Sequence, residues 1–339
     1  MNSARWLLLA FLAPLACAQS VDPSSEEATE DTSSALLAHS KTLWPTRDGA
    51  AIVRVCWRPL NLGTETFSET EYAPDLDAVM IERRQWIREI IEEQWNGKTV
   101  MKFVGWKPCG EEPVDVEIDP ISSDVVPREG CGRGQSCVDD FGARGRGKAV
   151  HINVLFGDEV LYSVRYKRAK GQRHDPNEIL KSFVPALCLP EARAATQDPS
   201  FANEKLFVAE WKRCFQLNAL HEFGHVAGFA HEWYRKDDEA KRQECMDDQS
   251  VDDLPSSMDQ GDTPLGPFDS ESVMSYCRHE KAAMLTQNDI EQTNAVYGSL
   301  APKGDTGVTE GPPGSGSAKL VKSKEGTAAS EESARGCNR

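Results

Sequence analysis

The chain has 339 residues and a formal net charge of −16, with 54 Asp and Glu against 38 Lys and Arg. So acidic a balance lacks the basic footprint of a nucleic-acid binder, and no apolar run is long enough to span a bilayer. Ten Cys behind an apolar leader point instead to an oxidising compartment and disulfide bonds.

In chain order, Arg5 precedes an apolar run from Trp6 to Leu15 and then small residues, the layout of a secretory signal. Two cuts fit. Ala16-Cys17-Ala18 satisfies the A-x-A rule, makes residues 1–18 a signal peptide and releases a secreted chain from Gln19. Alternatively, Leu15-Ala16-Cys17 resembles a bacterial lipobox, which would leave a lipid anchor on Cys17 at the cell surface. Residues 19–42 are acidic and rich in Ser and Thr; they cannot bury a core and read as a disordered spacer or short pro-segment. Residues 43–299 are long enough for one core, or for two lobes around a cleft. In the tail, 300–339, Gly, Pro, Ser, Lys and Glu dominate, a composition that reads as disordered.

Within 43–299 the patterning predicts a mixed fold. Ala51 to Trp57 is β-rich and reads as the first strand. From Asp75 to Trp95, apolar residues recur at three and four positions, so a helix follows, capped by Asp75 or Asp77 and ended at Asn96-Gly97. Thr99 to Trp106 is a second strand, parallel to the first because a helix connects them. Val114 to Ile118 is a third strand, Gly130 to Gly147 a Gly/Arg-rich loop, and Ala149 to Phe156 a fourth strand. Asp158 to Tyr166 fits either a strand or a helix start. Asp175-Pro176-Asn177-Glu178 is a capping box opening a short helix. Asn203 to Val226 is a long helix whose Phe207, Trp211, Cys214 and Leu217 should face the sheet. Lys236 to Ser270 is loop-like. Thr286 with Asp289 caps a last helix that Gly298 should stop.

The sharpest signal ends the long helix. In His221-Glu222-Phe223-Gly224-His225 the two His stand one turn apart on one helical face, so both can reach one zinc ion. Glu222 is placed to hold a water and take its proton. Gly228 tolerates the left-handed backbone that ends helices, and the turn there can swing His231 back as a third ligand. Three protein ligands leave a coordination position open, the mark of a catalytic zinc rather than a structural one.

The stretch His221 to Glu232 reads H-E-x-x-H-x-x-G-F-x-H-E, and Ser272-Val273-Met274-Ser275-Tyr276 follows downstream. Together they resemble the metzincin metallopeptidases, most closely the astacin family. The resemblance implies an α+β fold: a twisted, mostly parallel sheet with two long helices, an active-site cleft with the strand Ala149 to Phe156 as the sheet edge over it, and a smaller C-terminal lobe with one helix. It implies one zinc on His221, His225 and His231, Glu222 as general base, and Met274 as the floor of the site. It also makes Tyr276 a weak further ligand that swings to stabilise the transition state, and implies a protein or peptide substrate. Leu43-Trp44-Pro45 is similar to the start of mature astacins, in which a Glu at the place of Glu232 meets the new N-terminus. The F-x-G-D inhibitory motif of astacin pro-segments is absent here, so Glu232 is expected to find an internal partner. A catalytically silent binding protein of the same fold, or a zinc hydrolase acting on a non-peptide amide, are the alternatives. The complete set of His221, Glu222, His225, His231 and Tyr276 favours a peptidase over a silent relative.

Eight Cys remain once Cys17 and Cys337 are set aside. Sequence does not fix their connectivity; the expected pairs are Cys56–Cys109, Cys131–Cys137, Cys188–Cys214 and Cys245–Cys277. No C-x-x-C occurs, which disfavours a cysteine-ligated zinc. Arg128, Arg133, Arg144, Arg146 and Lys148 form a local basic patch, read as a solvated loop. Asp247, Asp248, Asp252, Asp253, Asp259 and Asp262 lack calcium-loop spacing and read as a solvated acidic loop.

Overall fold

Strand β3 (Ala50–Trp57) sets the pattern of the main sheet. Ala51, Val53 and Val55 point into the core while Ile52 and Arg54 face out, the period-two signature of a half-buried strand. The alternation stops at Cys56, which is buried because it is bonded to Cys109 beyond the next strand. The computed structural model describes residues 36–38, 40–63, 75–110, 112–129, 131–171, 204–232, 240, 243, 263–265, 268–275 and 282–300. The expected signal peptide, the helix after Asp175, the acidic loop of 247–262 and the tail lie outside these residues.

The fold is mixed α+β. β3 pairs in parallel with β4 (Met101–Pro108) on one edge and with β5 (Val116–Ile121) on the other. β5 pairs in parallel with β7 (Lys148–Asn153), and the two-residue β6 (Cys137–Val138) closes that side antiparallel to β7. A short β2 (Thr46–Arg47) hairpins onto the start of β3. The expected edge strand is therefore displaced by one: β7 is internal, and the edge is β6, inside the stretch read as a loop. Alternation cannot reveal a two-residue strand. Cys131 is bonded to Cys137 and ties β6 to the preceding turn.

Helix α1 (Leu76–Ile91) starts where Asp75 accepts from the Ala78 amide at 3.1 Å, and its last turn widens into a π-turn at Glu92–Asn96. It packs Met80, Trp86, Ile87, Ile90 and Ile91 on the sheet. The ambiguous segment resolves as a helix, α2 (Phe156–Ala169), because Asn153 at the end of β7 accepts from the Leu155 and Phe156 amides. The long helix α3 (Glu204–Val226) lies on the same sheet face, with Trp211, Phe215, Leu220 and Phe223 buried in the shared core. The last helix α4 (Gln287–Ser299) has the full Thr286/Asp289 capping box. It runs through Gly298, which is not its stop; the C-cap is Leu300.

A second sheet was not legible beforehand. β1 (Leu36–Ala38) lies antiparallel between β8 (Phe229–Ala230) and β9 (Thr263–Leu265). The folded region thus reaches back to Leu36, into what reads as disordered spacer, and β9 interrupts the expected loop after Lys236. Three-residue strands held by partners far away in sequence carry no local signature.

The basic patch is largely neutralised. Arg144 and Lys148 pair with Asp140, Arg146 with Asp115, and Arg133 with Asp124. On the sheet face away from the helices, His151 of β7 is clamped at both ring nitrogens. Asp119 sits 2.8 Å from Nδ1 and Asp139 3.1 Å from Nε2. Burial alone would push the His151 pKa down, but the two carboxylates outweigh it and hold the imidazolium above its ordinary value. A raised folded pKa stabilises fully below the unfolded value and is lost as pH climbs through the folded value. The stability margin of wild type over His151→Gln should therefore be full below about pH 6 and shrink as pH climbs past the ordinary histidine value of about 6.5. Urea unfolding of both chains on either side of that value measures it, and a margin independent of pH would remove the charge argument.

Candidate metal centre

The last turns of α3 carry His221 and His225, and Gly228 folds the chain back behind them. Gly228 adopts φ +94°, a left-handed value that side chains rarely reach, and its amide bonds the His225 carbonyl at 2.9 Å. The helix end is buried, so its free carbonyls need donors. The Trp44 indole N–H reaches the Val226 carbonyl at 2.7 Å, and the Tyr297 hydroxyl takes the Ala227 carbonyl. Segments from opposite ends of the folded region thus fix the turn that delivers His231.

His221, His225 and His231 converge as a buried group that could hold a metal ion. The Nε2 atom of His231 lies 3.0 Å from that of His221 and 3.0 Å from that of His225. The outer nitrogens set the tautomers. His221 Nδ1 donates to the Val273 carbonyl and His225 Nδ1 to the Phe229 carbonyl, both at 2.7 Å. In the neutral form that a metal ligand must take, both inner Nε2 atoms then present lone pairs. His231 could donate one hydrogen to one of them but not to both, so at least one contact sets lone pair against lone pair. A shared cation resolves that conflict. Nitrogens around a tetrahedral zinc stand about 3.3 Å apart, close to the spacing here. Burial, with the two neighbouring imidazoles, pushes the His231 pKa well below its ordinary value, so the ring is neutral as a ligand must be. The donor set fits zinc.

Each ring has its own support. Val273 belongs to the turn Ser272–Ser275, in which the Ser275 amide bonds the Ser272 carbonyl at 3.0 Å. Met274, also in this turn, is fully buried against Gly224 of α3. The Phe141 ring meets the His225 ring edge-on at a centroid distance of 4.9 Å. Glu232 is buried directly after His231, and its amide bonds the Met274 carbonyl at 3.0 Å. Glu222 is buried on α3 between the two helical ligands. Tyr276 lies outside the described residues, as do Cys188, Cys245 and Cys277. Cys214 is disulfide-bonded.

Trp44, Tyr297 and Phe141 were missed as parts of the site. Trp44 carried a faint signal in Leu43-Trp44-Pro45, and Phe141 was visible as the one aromatic in the Gly/Arg-rich loop. Tyr297 had none, since it sits in an ordinary amphipathic helix.

No family model matches the chain, and no curated protein does. A solved structure described as that of myroilysin aligns with 77% of this chain and 97% of its own, at a TM-score of 0.32 and 12% identity. At that distance the alignment decides neither family nor chemistry, and the functional reading stands on the geometry above.

The contact between Gly224 and Met274 makes a sharp prediction. A Cβ at position 224 would fall 2.2 Å from Met274 Sδ. Gly224→Ala should destabilise the protein by about 1–3 kcal/mol through overpacking. Adding Met274→Ala should recover part of that loss, because the smaller side chain vacates the space. Thermal melts of the two single variants and the double variant test the coupling, and strictly additive losses would show that the two residues do not press on each other.

Proposed function

We propose that the chain is a secreted, zinc-dependent endopeptidase of the metzincin type, most like the astacins. The observation that carries this reading is the buried convergence of three imidazoles, two on one helical face and the third returned by a glycine turn, with Glu222 beside them. Bound zinc would supply a Lewis acid that polarises the scissile carbonyl and acidifies a water. His221, His225 and His231 would hold it. Glu222 takes the proton of the attacking water and returns it to the leaving amine. Tyr276 donates a hydrogen bond to the developing oxyanion, worth about 3–4 kcal/mol where such donors have been removed.

The bonds Cys56–Cys109 and Cys131–Cys137 support an oxidising compartment, with cleavage after Ala18 or lipidation of Cys17 as the two routes out of the cell. Among the described residues no helix is long and apolar enough to cross a membrane. The partner is a protein or peptide substrate.

Glu222→Gln should keep bound zinc and the melting temperature while peptide hydrolysis falls by about 10²–10⁴-fold. His231→Ala should lose zinc, whereas Tyr276→Phe keeps it. Elemental analysis and cleavage of a peptide library by the purified chain measure both, and full activity in Glu222→Gln would sink the assignment.

Activation follows from β1. It pairs with Phe229–Ala230, next to the third ligand, so trimming at Thr42 would remove a strand of the site. A chain beginning at Gln19 should be active as it stands, and one beginning at Leu43 should bind zinc more weakly. Activity confined to the shorter chain would restore a zymogen scheme in which 19–42 is an inhibitory pro-segment.

A further inference from the structure

We infer that Asp289, at the start of α4, is a positioning residue of the metal centre: it locks the two peptide planes around Val273 and so aims the His221 ring. The inference rests on the zinc reading above.

Asp289 is fully buried and serves two elements at once. Toward its own helix, Oδ2 accepts from the Thr286 amide at 3.0 Å, while the Thr286 hydroxyl accepts from the Asp289 amide at 3.1 Å. That reciprocal pair is the capping box visible in the sequence. The same carboxylate also reaches the turn at Ser272–Ser275. Oδ2 accepts from the Val273 amide at 3.2 Å, which fixes the peptide before Val273. Oδ1 accepts from the Ser272 hydroxyl at 2.6 Å. With its hydrogen committed there, that hydroxyl accepts from the Met274 amide at 3.1 Å. The Met274 amide and the Val273 carbonyl are two ends of one peptide plane. This plane carries the carbonyl that accepts His221 Nδ1–H at 2.7 Å. The route from Asp289 to the metal-facing nitrogen of His221 is therefore an unbroken series: carboxylate, Ser272 hydroxyl, one peptide plane, one imidazole.

A helix cap alone would leave one of these oxygens to solvent. Here both are spent on the turn, and neither can be replaced by water in a fully buried place. Groups that orient a ligating imidazole through its second nitrogen commonly set metal affinity by 10–100-fold. Asp289 acts two hydrogen bonds further out, by holding the peptide plane that carries the acceptor.

The test separates this role from capping. Thr286→Ala breaks the capping box from its other side and leaves all three bonds accepted by Asp289 in place. Asp289→Ala removes cap and turn contacts together. Asp289→Asn keeps an oxygen for both amides, and its NH₂ can donate to the Ser272 hydroxyl. Zinc affinity of the chain from Gln19 is measured by competition with a chromophoric chelator, alongside melting curves. Thr286→Ala and Asp289→Ala should both melt lower. Only Asp289→Ala should weaken zinc binding, by about 10–100-fold, while Thr286→Ala stays within about 3-fold and Asp289→Asn lies between. Ser272→Ala cuts the series at its middle and should weaken zinc binding with Asp289 intact; it decides the matter if Asp289→Ala does not fold. Equal zinc affinity in Thr286→Ala and in the Asp289 or Ser272 variants would overturn the inference. A wild-type chain that binds no zinc would instead overturn the functional reading, and this one with it.

Discussion

The His231 Nε2 atom stands about one hydrogen-bond length from the Nε2 atoms of both His221 and His225, and as metal ligands all three would meet as bare lone pairs. Water cannot separate them where they are buried, and burial disfavours a charge on His231. The fold must hold them there by interactions made elsewhere, and most of the contacts around the site do so. The Val273 and Phe229 carbonyls pin the outer nitrogens of two rings. Phe141 walls the second. Trp44 and Tyr297 close the helix end from which the third ligand departs. The residues that would touch a metal are few; those that keep them in place span the sequence from Trp44 to Tyr297.

This wide sourcing has a thermodynamic consequence. The centre is assembled by contacts of very long sequence separation, so it cannot form before the main sheet and its helices have packed. Conversely, the free energy of a bound metal would be delivered to all of those contacts at once, because a ligand of the folded state stabilises the whole cooperative unit. Metal affinity and global stability would then be two views of one network. A substitution at Trp44, far from any ligand in sequence, acts on both.

What the sequence made readable follows the range of the interactions. Periodic helices α1, α3 and α4 and strand β3 are encoded locally, by apolar spacing and by caps at Asp75 and Thr286, so they stand close to where they were expected. The spacing of His221, Glu222, His225, Gly228 and His231 was legible because one helix and one glycine turn dictate it. Apart from the helix stop at Gly298, the misreadings are non-local. β6 and β1 are too short to show alternation and exist through pairing with β7, β8 and β9. Asp289 was visible as a cap, yet its bonds to Ser272 and Val273 join two segments that no periodicity connects. A capping residue that is also fully buried is the combination that would have marked it, and burial cannot be read from an acidic letter.

The three ligands are not equivalent in how they are held. His221 and His225 share α3, whose backbone bonds fix their separation however the surroundings relax. His231 has no such guarantee. It follows a two-residue strand, and its position depends on the Gly228 turn, the pairing of Phe229 and Ala230 with β1, and the Glu232 amide on the Met274 carbonyl. The turn is one local bond and the other two are short non-local contacts, and local opening begins where such contacts are sparse. Helix and return segment are separated by a short loop, so closing it around a cation carries little entropy penalty. A bound metal would do for His231 what the helix does for the other two: it would supply the one strong bond that holds the return segment to α3. In its absence the first change should be movement of the segment Gly228–Glu232 away from the helix, with the pair on α3 left in register.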